Sequence, residues 1–109
     1  MDLAPLFLEQ GLLQAPHPWL VTEDSAHTYQ ACSAALRQLS EWMQSGDLLV
    51  MEDGVLDDLG LSKGYEGGPN RALREFFIQH RDCFRVDRAL CDLFGKNATY
   101  APNAWLWKT

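Results

Sequence analysis

Two acid-terminated apolar runs, Trp19-Leu20-Val21-Thr22-Glu23-Asp24-Ser25-Ala26-His27 and Leu48-Leu49-Val50-Met51-Glu52-Asp53-Gly54, decide how this chain reads. Between them Tyr29, Cys32, Leu36, Leu39 and Met43 recur at alternating steps of three and four, the period of one helical face. The order is strand, helix, strand. A strand, a crossover helix and a second strand in one sheet form a parallel, right-handed unit in nearly every known case, so both strands point their carboxyl ends the same way. Asp24 then falls beside Glu52 and Asp53, outside the carboxyl ends, where open α/β sheets bind ligands. Clustered carboxylates repel one another unless a positive charge joins them, and a hard divalent cation is the natural candidate.

Working outward, residues 3–13 place Leu3, Leu6, Phe7, Leu12 and Leu13 opposite Glu9 and Gln10, a short amphipathic helix ended at or just after Gly11. Pro16 and Pro18 break the chain and launch the first strand at Trp19. Thr28 or Ser25 can cap the central helix, whose last turn meets Gly46 as a left-handed stop. From Gly54 to Pro69 glycine and charge dominate. A long loop is expected there, with one short helical turn at 55–59, and it is either a cover over the acidic site or plainly mobile.

Asn70 can cap a helix over 71–80 whose Leu73, Phe76, Phe77 and His80 form a buried face. Arg81-Asp82 reads as a turn. Strand-like content follows at 84–90 and 104–107, separated by turn material at Gly95-Lys96-Asn97 and Pro102-Asn103, and predicts an antiparallel pair at one side of the sheet.

The run His17-Pro18-Trp19-Leu20-Val21 through Asp24-Ser25-Ala26-His27, then Gly46-Asp47-Leu48-Leu49-Val50-Met51-Glu52-Asp53, resembles the cephalosporin hydroxylase family, a branch of the S-adenosylmethionine-dependent methyltransferase-like proteins. The helix from Arg71 to His80, the segment Phe84-Arg85-Val86-Asp87 and the ending Ala101-Pro102-Asn103-Ala104-Trp105-Leu106 look like that family's C-terminal part. The resemblance implies a partial Rossmann-like methyltransferase sheet: a parallel strand-helix-strand unit, a further helix and a C-terminal antiparallel strand pair, all in one domain over 1–109. It also implies a metal, usually Mg2+, at Asp24, Glu52 and Asp53. Family members are about twice this length and build their cofactor site mainly in the N-terminal half. The chain is therefore expected to correspond to the C-terminal half, and to use S-adenosylmethionine only if the other half is supplied.

At 109 residues there is room for one domain, and 47% hydrophobic with 11% aromatic residues is too apolar for disorder. Nine basic against fifteen acidic side chains give a net charge of −6, which argues against nucleic acid and anionic membranes as partners. Cys32, Cys83 and Cys91 lack the paired spacing of zinc or redox motifs and read as buried thiols. Without a membrane-spanning run or a signal-peptide pattern, they suggest a reducing cytoplasm. Asn97-Ala98-Thr99, formally a glycosylation sequon, means little there.

His27, three residues after Asp24, is the candidate catalytic residue, as a general base or as the holder of a ligand or water. Each of these residues also has a bland reading: acids at strand ends cap helices or face solvent, and a histidine opening a helix makes a local hydrogen bond. His17 and His80 read as structural. Trp105 and Trp107 alternate with Leu106, giving the last strand one aromatic face. A half-sheet leaves an apolar edge, so a homo-oligomer or a separate N-terminal partner chain is expected to complete it. The rival is a non-catalytic binding or assembly module that keeps the fold and dimerises through its exposed sheet and Trp105/Trp107.

Overall fold

The computed structural model describes residues 2–54, 59–93 and 104–109. The element order is α1 (Ala4–Glu9), a 3-10 turn at Leu12–Gln14, β1 (Leu20–Glu23), α2 (Tyr29–Trp42), β2 (Leu48–Met51), a 3-10 turn at Ser62–Tyr65, α3 (Gly68–Gln79), β3 (Phe84–Val86), α4 (Arg88–Cys91) and β4 (Trp105–Lys108). The strands form one mixed sheet in the order β1-β2-β4-β3. β1 and β2 are parallel, with Leu20 opposite Leu48 and Glu23 opposite Met51, and β4 runs antiparallel to both β2 and β3. The strand-helix-strand unit and the antiparallel C-terminal pair are therefore present. The pair inserts β4 beside β2, leaving β3 at one edge and β1 at the other.

Alternation along the strands explains the core. Leu49 pairs with Leu106, and both are wholly buried. They join Cys32, Ala35, Leu36 and Leu39 of α2 with Ala72, Leu73 and Phe76 of α3 in a single cluster. Ala35 and Ala72 are small and buried, which lets the two helices approach each other closely. On the opposite face Leu48 pairs with Trp107, and Val50 with Trp105. Both tryptophans are half-buried, and Trp107 Nε1 donates to Asp87 Oδ2 at 2.8 Å. Their alternation with Leu106 is as the sequence implies.

Local chemistry sets the ends of the elements. Thr28 caps α2, its hydroxyl accepting from the Ala31 N–H at 3.1 Å. Thr28→Ala is expected to cost about 1 kcal/mol, read as a lowered urea midpoint with an unchanged slope. The helix leaves helical geometry at Met43, so Gly46 (φ 96°) is not its stop. It lies instead in the tight turn before β2, where its N–H donates to the Lys108 carbonyl. α3 begins at Gly68, three residues before the expected start, because Gly67 (φ 98°) reverses the chain and Pro69 fits a first turn. Asn70 is thus inside the helix, and its amide donates to the Gly54 carbonyl at 2.9 Å. His80 is an exposed C-cap residue rather than part of the buried face, and Ala72 takes that place.

The strand expected over 84–90 stops at Val86. Asp87 caps a short helix instead, accepting from the Leu90 N–H at 2.9 Å. The helical turn expected at 55–59, the turns at 95–97 and 102–103 and the sequon at 97–99 lie wholly or almost wholly outside the described residues.

The turn before β2 holds a buried acid. Asp47 is wholly inaccessible. Its Oδ2 lies 2.7 Å from His17 Nδ1 and accepts from the Gln44 N–H, while Oδ1 accepts from the Trp19 N–H, each at 2.7 Å. His17 in turn stacks on Trp19 with ring centroids 4.2 Å apart. One carboxylate thereby joins the entry to β1, the end of α2 and the start of β2. Burial pushes the Asp47 pKa up, but these donors outweigh it and hold the group below the usual carboxylate range.

Candidate metal and acid-base centre

Asp24 follows β1 directly and Glu52 and Asp53 follow β2, so parallel pairing brings the three acids to one end of the sheet. The Glu52 N–H donates to the Glu23 carbonyl at 3.0 Å, carrying the pairing one residue beyond the strands. His27 joins them from the loop before α2. Its Nε2 lies 3.1 Å from Asp53 Oδ2 and 3.5 Å from Asp24 Oδ1. One ligand atom from each of Asp24, His27 and Asp53 falls within 4.8 Å of the others.

Glu52 stands beside this trio. Burial raises its pKa, and the charges of Asp24 and Asp53, with a hydrogen bond to Asp24, raise it further. Ionising a further carboxyl beside two others is unfavourable, which is the cause of that further rise. All four residues singled out in the sequence are thus neighbours, although the closest donor set contains the histidine in place of Glu52.

Backbone conformation adds weight to the cluster. His27 (φ 63°) and Asp53 (φ 64°) both occupy the left-handed region, which non-glycine residues seldom adopt. Aspartate and histidine tolerate this region better than most side chains, and residues in it recur at functional sites. His27 Nδ1 and Ser25 Oγ are buried without a hydrogen-bond partner among the described residues. The Tyr65 ring stands edge-on to His27, with ring centroids 6.2 Å apart.

The donor chemistry fits a hard divalent cation. Carboxylate oxygens are the preferred ligands of Mg2+ and Ca2+, and an imidazole nitrogen is also acceptable to Mn2+ or Zn2+. Neighbouring ligands around octahedral Mg2+ lie about 3 Å apart. The Asp53 to His27 approach already has that spacing.

Glu23, the residue before Asp24, is a buried acid that sequence reading did not single out. It is buried at the end of β1, accepts from the Ser25 N–H at 3.1 Å, and lies 3.7 Å from Cys32 Sγ. Period-two alternation from Val21 carries the signal, since it places Glu23 on the helix-covered face. Burial, then the Glu23 charge and hydrogen bond, push the Cys32 thiol up to about 12, so it is no nucleophile at neutral pH. Cys32, Cys83 and Cys91 are all free. Among the described residues no helix is long and apolar enough to cross a membrane.

Comparison with curated proteins and with solved structures finds no match to this chain. A family description does match: the rhamnosyl O-methyltransferase/CmcI model covers residues 10–109. That span contains every strand of the sheet and all four clustered residues, and the chain belongs to the rhamnosyl O-methyltransferase/CmcI family.

Proposed function

We propose that this chain is the metal-binding, C-terminal part of an O-methyltransferase-like enzyme of the cephalosporin hydroxylase type. Asp24, Glu52 and Asp53 hold a divalent cation, Mg2+ by the chemistry of oxygen donors, and His27 is the general base. The observation that carries the reading is the meeting of Asp24, His27 and Asp53 at the carboxyl ends of two parallel strands, with two of the three in left-handed backbone. When bound, the cation supplies a lowered pKa for an acceptor hydroxyl. Asp24, Glu52 and Asp53 would hold the ion to which that hydroxyl binds. His27 stands beside these acids, its Nε2 3.1 Å from Asp53 Oδ2, and would take the hydroxyl proton on whichever ring nitrogen does not already carry one.

The methyl donor of this reading is S-adenosylmethionine, held once a cofactor half completes the sheet. β1 is an edge strand, and Leu20 on it is 71% exposed. Apolar clefts flank the strand, one lined by Phe7, Leu12, Trp19 and Leu20 and the other by Leu3, Phe7, Ala35 and Leu39. An added strand would cover both clefts, whether supplied by a separate N-terminal chain or by a second copy. The isolated chain is then inactive, and its free thiols suit a reducing cytoplasm.

The same open edge favours a second reading, a non-catalytic module that assembles through β1. Thermal melting with and without Mg2+, at several protein concentrations, separates the two. A rise with Mg2+ that Asp24→Asn abolishes supports the metal centre. A rise with protein concentration alone, indifferent to the ion, supports the assembly module.

A further inference from the structure

Arg71, in the first turn of α3, is engaged on three sides. Its guanidinium carbon lies 3.8 Å from the centroid of the Tyr29 ring, Nε is 3.3 Å from Glu75 Oε1, and Nη1 donates to the Glu66 carbonyl at 2.9 Å. The Tyr29 hydroxyl donates to the other Glu75 oxygen. That hydrogen bond, ahead of Arg71 itself, holds the Glu75 carboxyl below its usual range, so it stays charged. A planar guanidinium can stack on a ring and donate to two acceptors at once. A lysine ammonium cannot reproduce this.

The carbonyl that Arg71 grips belongs to an unusual turn. Glu66, Gly67 and Gly68 have φ of 60°, 98° and 66°, three consecutive left-handed residues. Glu66 carries a side chain in a conformation that costs non-glycine residues free energy, so something must hold it there. A Cβ on Gly67 would lie 2.6 Å from Arg71 Cδ and 2.9 Å from Arg71 Cβ, so the turn and the arginine stem are fitted to each other. Next to this turn, Tyr65 stands edge-on to His27, and a Cβ on Gly68 would lie 3.6 Å from the His27 carbonyl oxygen.

We propose that Arg71 is a clamp that holds the 62–68 turn against His27, so that releasing this one side chain opens the Asp24, His27 and Asp53 cluster. The anchors of the clamp, Tyr29 and Glu75, belong to the two helices that pack on each other. The chain that leads into the turn has little apolar attachment of its own, since Leu59 and Leu61 are 63% and 51% exposed. A break at Arg71 therefore frees the turn while the helices stay packed. The consequence for the site rests on the proposed metal and acid-base centre, whereas the clamp itself is testable without any ion.

The test compares wild type, Arg71→Ala and Arg71→Lys by amide hydrogen exchange and by the rate at which diethyl pyrocarbonate modifies His27. In Arg71→Ala, exchange over 62–68 should quicken by about tenfold. His27 should be modified several-fold faster, while β2 and the buried half of α2 keep their protection. Arg71→Lys should resemble alanine. If Arg71→Ala does not fold, Glu75→Gln, which keeps the packing and removes the charge, should give a smaller opening of the same segment. Unchanged exchange over 62–68 with unchanged His27 modification overturns the clamp, as does an equal loss of protection in α2 and the turn. Melting with Mg2+ is run in parallel: an opened turn in a protein indifferent to the ion leaves the clamp standing and rejects the metal centre.

Discussion

Asp47→Ala is expected to destabilise the fold by about 4 kcal/mol, measured by urea unfolding followed by far-ultraviolet circular dichroism. The carboxylate is wholly buried and serves the Trp19 N–H, the Gln44 N–H and His17 at 2.7 Å each. Removing it leaves three polar groups without their acceptor, at a cost of about 1–3 kcal/mol each where water cannot replace it. A domain of this size holds only about 5–15 kcal/mol in reserve, so the variant should be partly unfolded on modest heating. Asp47→Asn, which keeps one acceptor oxygen, should lose less.

The dependence on pH follows from the direction of the shift. The folded-state pKa of Asp47 is depressed, so its contribution is present above the ordinary aspartate value and is lost as pH falls through the lowered one. Asp47→Asn should flatten the acid limb of the stability curve. Glu52 acts with the opposite sign. Its folded-state pKa is raised, so the metal-free protein loses stability as pH rises from the ordinary glutamate range through the raised value. Glu52→Gln should remove that decline.

Asp53→Gly is the second large effect, and it has two parts. Without a cation the variant should stay within about 1 kcal/mol of wild type, because relief of the left-handed backbone and loss of a charge from a crowded site offset the lost contact to His27. With Mg2+ at about one hundred times its dissociation constant, wild type should gain about 2.7 kcal/mol and the variant should gain nothing. The two stabilities therefore separate as the ion is added. Chemical denaturation at graded Mg2+ reads both parts.

The parallel unit was legible because its signals are local and redundant. The apolar runs at 20–23 and 48–51, the helical spacing of Cys32, Leu36 and Leu39 and the cap at Thr28 all agree. Parallel pairing then brings Asp24 to Glu52 and Asp53, and chain proximity adds His27. What the sequence did not carry was set by tertiary contacts. Asp47 reads as a turn residue in Gly46-Asp47, and only burial against His17 and Trp19 makes it a hub. Phe84 to Leu90 has strand composition, yet Asp87 finds both the Leu90 N–H and Trp107 Nε1, and the chain turns helical. The glycines at 67 and 68 looked like loop material because left-handed backbone and an early helix start have the same composition.

The measurement that tests the central claim most directly is a calorimetric titration of Mn2+, a close mimic of Mg2+ that also accepts nitrogen ligands, into wild type and Asp24→Asn. One saturable site in wild type, lost in the variant while its circular dichroism is unchanged, is the predicted result. No saturable binding, or equal binding in both proteins, would contradict a metal centre at Asp24 and Asp53 and leave the acids as surface groups on an assembly module.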